Sequence, residues 1–228
     1  MSNSLQIVVV GAGGQARDTA WLIDELARAG APFRFRGFVL SDLKFLSARD
    51  SKDRLLGDFS WLEQHASEVD ALALGIGTPA VRLALADRLA REWPRLEWPS
   101  LLHPSVQLDR ESARVGRGCM IACGTAGTVN LTLEDFAVVN VGCTLGHEAS
   151  IGRGSVINHG ASISGGVVLG DGVLVGTGAR VLQYLAVGAG ATIGAGAVVT
   201  KKVPPGAVVV GVPARPLERG GRATEDQP

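Results

Sequence analysis

Between residues 115 and 200 this chain keeps a beat of six. Leu133, Val139, Leu145, Ile151, Ile157, Ile163, Leu169, Val175, Val181, Val187, Ile193 and Val199 fall on one comb. Val115 and Ile121 extend it backwards, and Gly127 alone misses. Glycine often comes next, as at Gly116, Gly146, Gly152, Gly170, Gly176, Gly188 and Gly194. Four places after the aliphatic stands a small residue, such as Ala137, Cys143, Ala149, Ser155, Ala161 or Ala179. A period of six fits neither a helix nor a simple strand. It fits a coil with flat sides, in which the aliphatic and the small residue both point inward. Three sides close a triangular prism of about 18 residues per coil, stacked at ~4.8 Å by backbone hydrogen bonds. A narrow axis has little room for aromatics, and sharp corners need glycine. The chain has 31 glycines against 6 phenylalanines and 1 tyrosine.

The first hundred residues follow a different pattern. "LQIVVVGAGG" reads as a strand running into glycines. "QARDTAWLIDELARAG" reads as a helix with Ala20, Ile23, Leu26 and Ala27 on one face, stopping at Gly30. "FRGFVLSD" is expected to be a second strand, ending at Asp42. "ALALGIG" is a third, followed by a helix in "PAVRLALADRLAREW" with proline in its first turn. The extended "LEWPSLLHPSV" closes the region. Strand–helix alternation implies a small parallel sheet. The expected organisation is a Rossmann-like α/β domain over 1–100, an all-β coil over 101–217, and a disordered tail over 218–228, "ERGGRATEDQP" being rich in charge and glycine.

Composition removes several classes. Lysine plus arginine is 22 and aspartate plus glutamate is 22, so nothing favours a nucleic-acid partner. Three cysteines make no disulfide framework, and a reducing compartment is the simpler reading. Cys119 and Cys123 have no second Cys/His pair nearby, so no metal site is expected. "MSNSLQIVVVGAGG" lacks the basic start of a signal peptide, and no apolar run is long enough to span a membrane. A cytoplasmic protein is expected.

The comb, the ending "IGAGAVVTKKVPPGAVVVGVPARP" and the glycine-rich strand–loop–helix before them resemble one family. It is the hexapeptide-repeat sugar acyltransferases of the sialic acid O-acetyltransferase type. These include the N-acetyltransferases of UDP-bacillosamine precursors and of GDP-perosamine. The resemblance implies a left-handed parallel β-helix, homotrimers, and transfer of acetyl from acetyl-coenzyme A (acetyl-CoA) to a nucleotide-linked amino sugar. A hydroxyl acceptor is the nearest alternative, and a non-catalytic nucleotide-sugar scaffold is another. A γ-type carbonic anhydrase needs three histidines around zinc, and only His147 and His159 lie on the comb.

"NVGCTLGHEASIGRG" carries the strongest chemical signal. His147 is the third residue of a side, so its ring should face outward, with Glu148 beside it. An imidazole next to a carboxylate suits a general base. Gly165 comes 18 residues later, hence one coil above, and an amide of "SGG" (164–166) could meet a developing oxyanion. The resemblance gives His147 as the base, Glu148 as the residue that increases its basicity, Asn140 as a support, and Gly165 as the amide facing the thioester. Asn140 also stands below Asn158, a spacing that suits an asparagine ladder. The acidic residue that some members carry before the histidine is Gly146 here.

His159 has the same place in its side twelve residues later, on a different face, so it can join the site of His147 only where trimer packing brings faces of different subunits together. His103 and His65 read as structural. For acetyl-CoA the resemblance implies Gly165, Thr177 and Ala195, while a further family histidine is replaced by Val156. Lys201, Lys202 and Arg215 are suitably basic for its phosphates. The loop "GAGGQA" fits G-x-G-x-x-A between strand and helix, a plausible phosphate site. The resemblance assigns the nucleotide sugar to Gly13, Gly14, Gln15, Ser41, Asp42, Gly77 and Thr78.

Overall fold

The computed structural model describes residues 4–50 and 52–217, so the tail expectation for 218–228 lies outside the described residues. Strand β1 (Leu5–Val10) leads into helix α1 (Gly14–Arg28), β2 (Phe33–Leu40), β3 (Leu55–Asp58), α2 (Phe59–Gln64), β4 (Ala71–Leu74) and α3 (Pro79–Glu92). The sheet is parallel with order β3-β2-β1-β4. Ile7, Val8, Val9 and Val10 are buried on both faces, which is why β1 is an unbroken β-branched run rather than an alternating one.

Two corrections concern this domain. Its sheet has four strands, not three: β3 and α2 lie where the sequence suggested no element. All four β3 residues are only half-buried at the sheet edge, so pairing with β2 makes the strand, and no hydrophobic run announces it. Strand β2 ends at Leu40 instead of Asp42. The Asp42 carboxylate accepts from the Lys44 N–H at 2.9 Å and caps a short 3₁₀ turn, Leu43–Phe45, which bends the chain away from the sheet.

From Leu101 the chain winds into a left-handed parallel β-helix of two-residue strands. Its first face stacks Leu101–Leu102, Met120–Ile121, Val138–Val139, Val156–Ile157, Leu174–Val175 and Thr192–Ile193, and closes with Val208–Val210 and Arg215–Pro216. The second runs from Ala126–Gly127 through Thr144–Leu145, Ser162–Ile163 and Arg180–Val181 to Val198–Val199. The third runs from Arg114–Val115 to Ala186–Val187. Registers such as Val138↔Val156↔Leu174 fix the coil at the expected length. The comb from Leu133 to Val199 is buried inside the prism, with Cys119, Ala137, Cys143, Ala161, Ala179 and Ala197 at the small inward positions. Val115, at the open end, is only half-buried.

The one gap in the comb is filled from the neighbouring position. A Cβ on Gly127 would lie 2.5 Å from Cδ1 of Leu131, which is fully buried at a position where the coils on either side of it carry Ala113 and Ala149. The two positions have exchanged volume, so packing density is kept without an aliphatic at 127.

The domains are welded along the first face and the corner between the third and first faces. Met120, Val138 and Val156 share a core with Ala16, Ala20, Ile23 and Phe38. At the corner, the fully buried Arg82 of α3 donates from Nε to Phe136 O at 2.7 Å, from Nη1 to Leu74 O at 2.6 Å, and from Nη2 to Gly118 O at 3.4 Å. Burial pushes its guanidinium down to about 10. Its fork thus ties the end of β4 to two coils of the prism. Arg82→Ala leaves those carbonyls buried without donors and opens a cavity, so it should cost about 3 kcal/mol. A shift of the urea midpoint at unchanged m-value reads this effect. Among the described residues, no helix is long and apolar enough to cross a membrane.

Candidate active site

Each corner of the prism turns through a residue in the left-handed region, three places after the comb aliphatic. Most of these are glycines, as at Gly142, Gly154, Gly160, Gly166, Gly172, Gly178, Gly190 and Gly196. Four are not: Asn130 (φ 57°), Phe136 (φ 62°), Glu148 (φ 61°) and Tyr184 (φ 59°). A side chain there costs about 1 kcal/mol, so each exception needs a reason. Phe136 has one, being buried at the domain junction against Trp98 with ring centroids 5.1 Å apart. The other three stand on one corner, between the second and third faces, and His147 is on it.

His147 projects outward there, its side chain about half exposed (52 %), with Nδ1 3.7 Å from the Glu148 carboxylate. Its ring lies across Gly165 one coil above: a Cβ on Gly165 would come within 2.5 Å of Nε2 and 2.6 Å of Cε1. Only glycine leaves room for the ring. Of the three amides in 164–166, Ser164 N–H donates to Val181 O at 3.0 Å and Gly166 N–H to His147 O at 2.8 Å. Gly165 N–H has no protein partner among the described residues. An imidazole and an unpaired amide therefore lie against each other, the half-exposed ring covering Gly165, which is itself buried. Tyr184, which the sequence reading overlooked, borders it with ring centroids 6.4 Å from His147. The signal was available, since a tyrosine occupies a corner position that is otherwise mostly glycine.

The remaining sequence candidates do not all gather at this corner. Asn140 is buried at the end of the first face and donates from Nδ2 to Asn158 Oδ1 at 3.1 Å, a ladder contact. It lines a small cavity of about 50 Å³ with Gln15, Asp18, Trp21 and His159, not with His147. Thr177 and Ala195 are exposed and continue the column of His159, on the corner between the first and second faces: Gly178 N–H donates to His159 O at 2.9 Å, and Gly196 N–H to Thr177 O at 2.8 Å. Within one chain they are a whole face away from His147. Val156 is buried beneath the N-terminal domain. Lys201, Lys202 and Arg215 come together around a cavity of about 160 Å³ at the C-terminal end of the prism, with Lys201 two coils beyond Gly165 in the same column. His103 stacks on Trp21 at 5.5 Å and His65 on Trp61 at 4.5 Å, which accounts for both as packed rings.

The N-terminal candidates line the C-terminal edge of the parallel sheet, where α/β sheets bind ligands. Gly13 is the extended N-cap of α1 and Gly14 its first residue. Ser41, with Val10, Gly11, Leu40, Phe45, Ile76, Val81 and Leu85, encloses a mostly apolar cavity of about 400 Å³. Asp42 is held below the usual carboxylate range by hydrogen bonds from Lys44, and it ion-pairs with Lys44 Nζ at 2.8 Å. Gln15 reaches Gly77, and its Nε2 is buried with no hydrogen-bond partner. Thr78 stands at the N-cap position of α3 without a side-chain capping bond and faces the third–first corner of the prism with Asp171 and Gly172. Arg17, also overlooked, places its guanidinium beside Gly14.

No protein-family model matches the sequence, and no curated protein does. Solved structures do match. PerB, a perosamine N-acetyltransferase from Caulobacter crescentus solved with CoA and GDP-perosamine, is 26 % identical. That match has a TM-score of 0.80 over 93 % of this chain and 97 % of the other. The chain is a structural match to a nucleotide-sugar N-acetyltransferase. The acetyltransferase domain of PglB from Neisseria gonorrhoeae, solved with acetyl-CoA, is 27 % identical with a TM-score of 0.81, covering 94 % of this chain and 100 % of that one. WeeI from Acinetobacter baumannii is 27 % identical at 0.79, over the same shares. The match takes in the N-terminal sheet and the β-helix together.

Proposed function

We propose that this protein moves acetyl from acetyl-CoA to the amino group of a nucleotide-linked amino-deoxy sugar. The observation that carries the reading is the His147 ring lying across Gly165, whose N–H, alone of the three amides in 164–166, has no partner among the described residues. In the reaction the sugar amine attacks the thioester carbonyl carbon and His147 accepts the amine proton. The carbonyl oxygen gains charge facing Gly165 N–H. The C–S bond then breaks, the proton passes to the departing sulfur, and an amide and free CoA result. Glu148, 3.7 Å from Nδ1, orients the imidazole. Asn140 acts at most through the ladder with Asn158.

Lys201, Lys202 and Arg215 meet the phosphates of CoA. The nucleoside lies in the cavity bordered by Ser41, and its phosphates lie over Gly13 and Gly14 with Arg17 beside them. Gln15, Asp42, Gly77 and Thr78 complete the sugar-nucleotide site. We take the working unit to be a homotrimer. Thr177 and Ala195 then face His147 from the neighbouring prism, and the exposed Val129, Val168 and Leu182 around the His147 corner become covered. The complexes of PerB with CoA and GDP-perosamine, and of the PglB domain with acetyl-CoA, support this choice of substrates.

The direct test is release of CoA thiol with acetyl-CoA and a panel of UDP- and GDP-linked amino and hydroxy sugars. Amino-sugar-dependent release is expected, and a panel that gives none while a hydroxy sugar does would move the reading to O-acetylation. Gly165→Ala gives a finer check. Its backbone is outside the left-handed region, so folding should hold, but the new methyl displaces the His147 ring. Turnover should fall ~10-fold or more, as misplacement of a catalytic group does; unchanged turnover would remove this contact from the mechanism.

A further inference from the structure

Tyr184 has no structural duty that explains it. It is two-thirds exposed (67 %), and it occupies a corner in the left-handed region, where glycine is the unstrained choice. Its hydroxyl has no hydrogen-bond partner among the described residues. A bulky side chain kept in such a conformation marks a place where the strain serves a purpose.

Its location indicates the purpose. The ring bends back over Gly166, packing against the place a Cβ would fill, and so it hangs beside Gly165 and its free amide. Tyr184 N–H donates to Gly165 O at 2.9 Å, which fixes this coil directly above the amide. The ring stands one coil towards the C-terminal end, between His147 and the Lys201–Lys202 pair. That is the side from which an acyl-CoA held by those lysines would reach the histidine. The N-terminal domain, where the acceptor's nucleotide would sit, docks elsewhere, on the first face.

We propose that Tyr184 is a donor-side specificity residue whose ring closes the acyl pocket over Gly165 and limits the transferred group to a short chain. This rests on the acetyl-transfer reading above and names the acyl selectivity of that site. The imidazole and phenol centroids are 6.4 Å apart with the planes 59° to one another. A carbon layer between two parallel ring faces needs roughly 7–8 Å at normal contact distances. The two rings therefore form a wedge that takes little more than a methyl at its open edge. A propionyl or butyryl group must push the phenol aside.

Three proteins and three donors test this: the full chain with Tyr184, Tyr184→Phe and Tyr184→Gly, each with acetyl-, propionyl- and butyryl-CoA. Wild type and Tyr184→Phe should prefer acetyl over butyryl in kcat/KM. Tyr184→Gly should lose at least ~10-fold of that preference while keeping its melting temperature and its oligomeric mass, because glycine suits the corner. Equal selectivity in wild type and Tyr184→Gly overturns the proposal, and so does a loss of assembly in Tyr184→Gly, which would make the ring a subunit contact. Calorimetric titration of CoA separates the two levels. A wild-type protein that binds no CoA overturns acyl transfer and the proposal together. Wild-type binding with unaltered acyl selectivity in the variant overturns the proposal alone.

Discussion

His147→Ala should lower acetyl transfer by ~10²-fold or more without disturbing the fold, the usual worth of a positioned general base. The size follows from what the ring does and does not touch. It is half exposed and lies on a glycine, so its removal opens no cavity in the core. The melting temperature should therefore hardly move, and KM for acetyl-CoA should stay within a few-fold, because the proposed binding mode holds the cofactor mainly at Lys201, Lys202 and Arg215. The loss belongs in kcat. His147→Asn keeps polarity without a base and should be equally slow. Purified variant protein assayed with a saturating amino-sugar acceptor decides the matter. Near-wild-type turnover in either variant would return His147 to the solvated surface.

The prism was legible because its period equals the length of one side. Each aliphatic from Leu133 to Val199 meets the axis, and no tertiary information is needed to see it. The placement of His147 under Gly165 follows from the same arithmetic, a separation of 18. That arithmetic also separates Thr177 and Ala195 from His147, because they continue the column of His159. A family resemblance assigns all of them to one cofactor without showing that they lie on different corners of a chain. Other features depend on packing that no local pattern records. Leu131 fills the gap at Gly127 from a different position of its side. Strand β3 exists because β2 offers an edge, although "LLGD" gives no periodic signal. Arg82 has no local signal that marks it as buried, yet it is fully enclosed because carbonyls of three separate segments converge on it. The left-handed corners lie between these extremes. Tyr184 was visible as an exception to a glycine position only to a reader who had already fixed the phase of the coil.

Activity should be recovered when two dead variants are mixed. His147→Ala removes the base from the corner between the second and third faces. Ala195→Trp places a bulky ring on the exposed corner between the first and second faces, where Ala195 follows Thr177 and His159 in one column. Neither corner can enclose a thioester by itself, because each is a convex edge of a prism. In the proposed trimer every His147 corner would meet the other corner of the next subunit, a heterologous contact that repeats without a free end. An intact site then needs its base from an Ala195→Trp subunit and its wall from a His147→Ala subunit. Random reassembly of an equal mixture gives that pairing at one interface in four, so about a quarter of wild-type activity should return. Each variant alone should stay near its own low rate. The mixture must be exchanged under conditions that dissociate and rebuild the oligomer, and mass measurement should confirm mixed trimers. Recovery requires the wall and the base to come from different chains, because no single subunit in the mixture carries both. Mixed trimers with no recovered activity, or a fully active monomer, would place the whole site within one chain and break the trimeric reading.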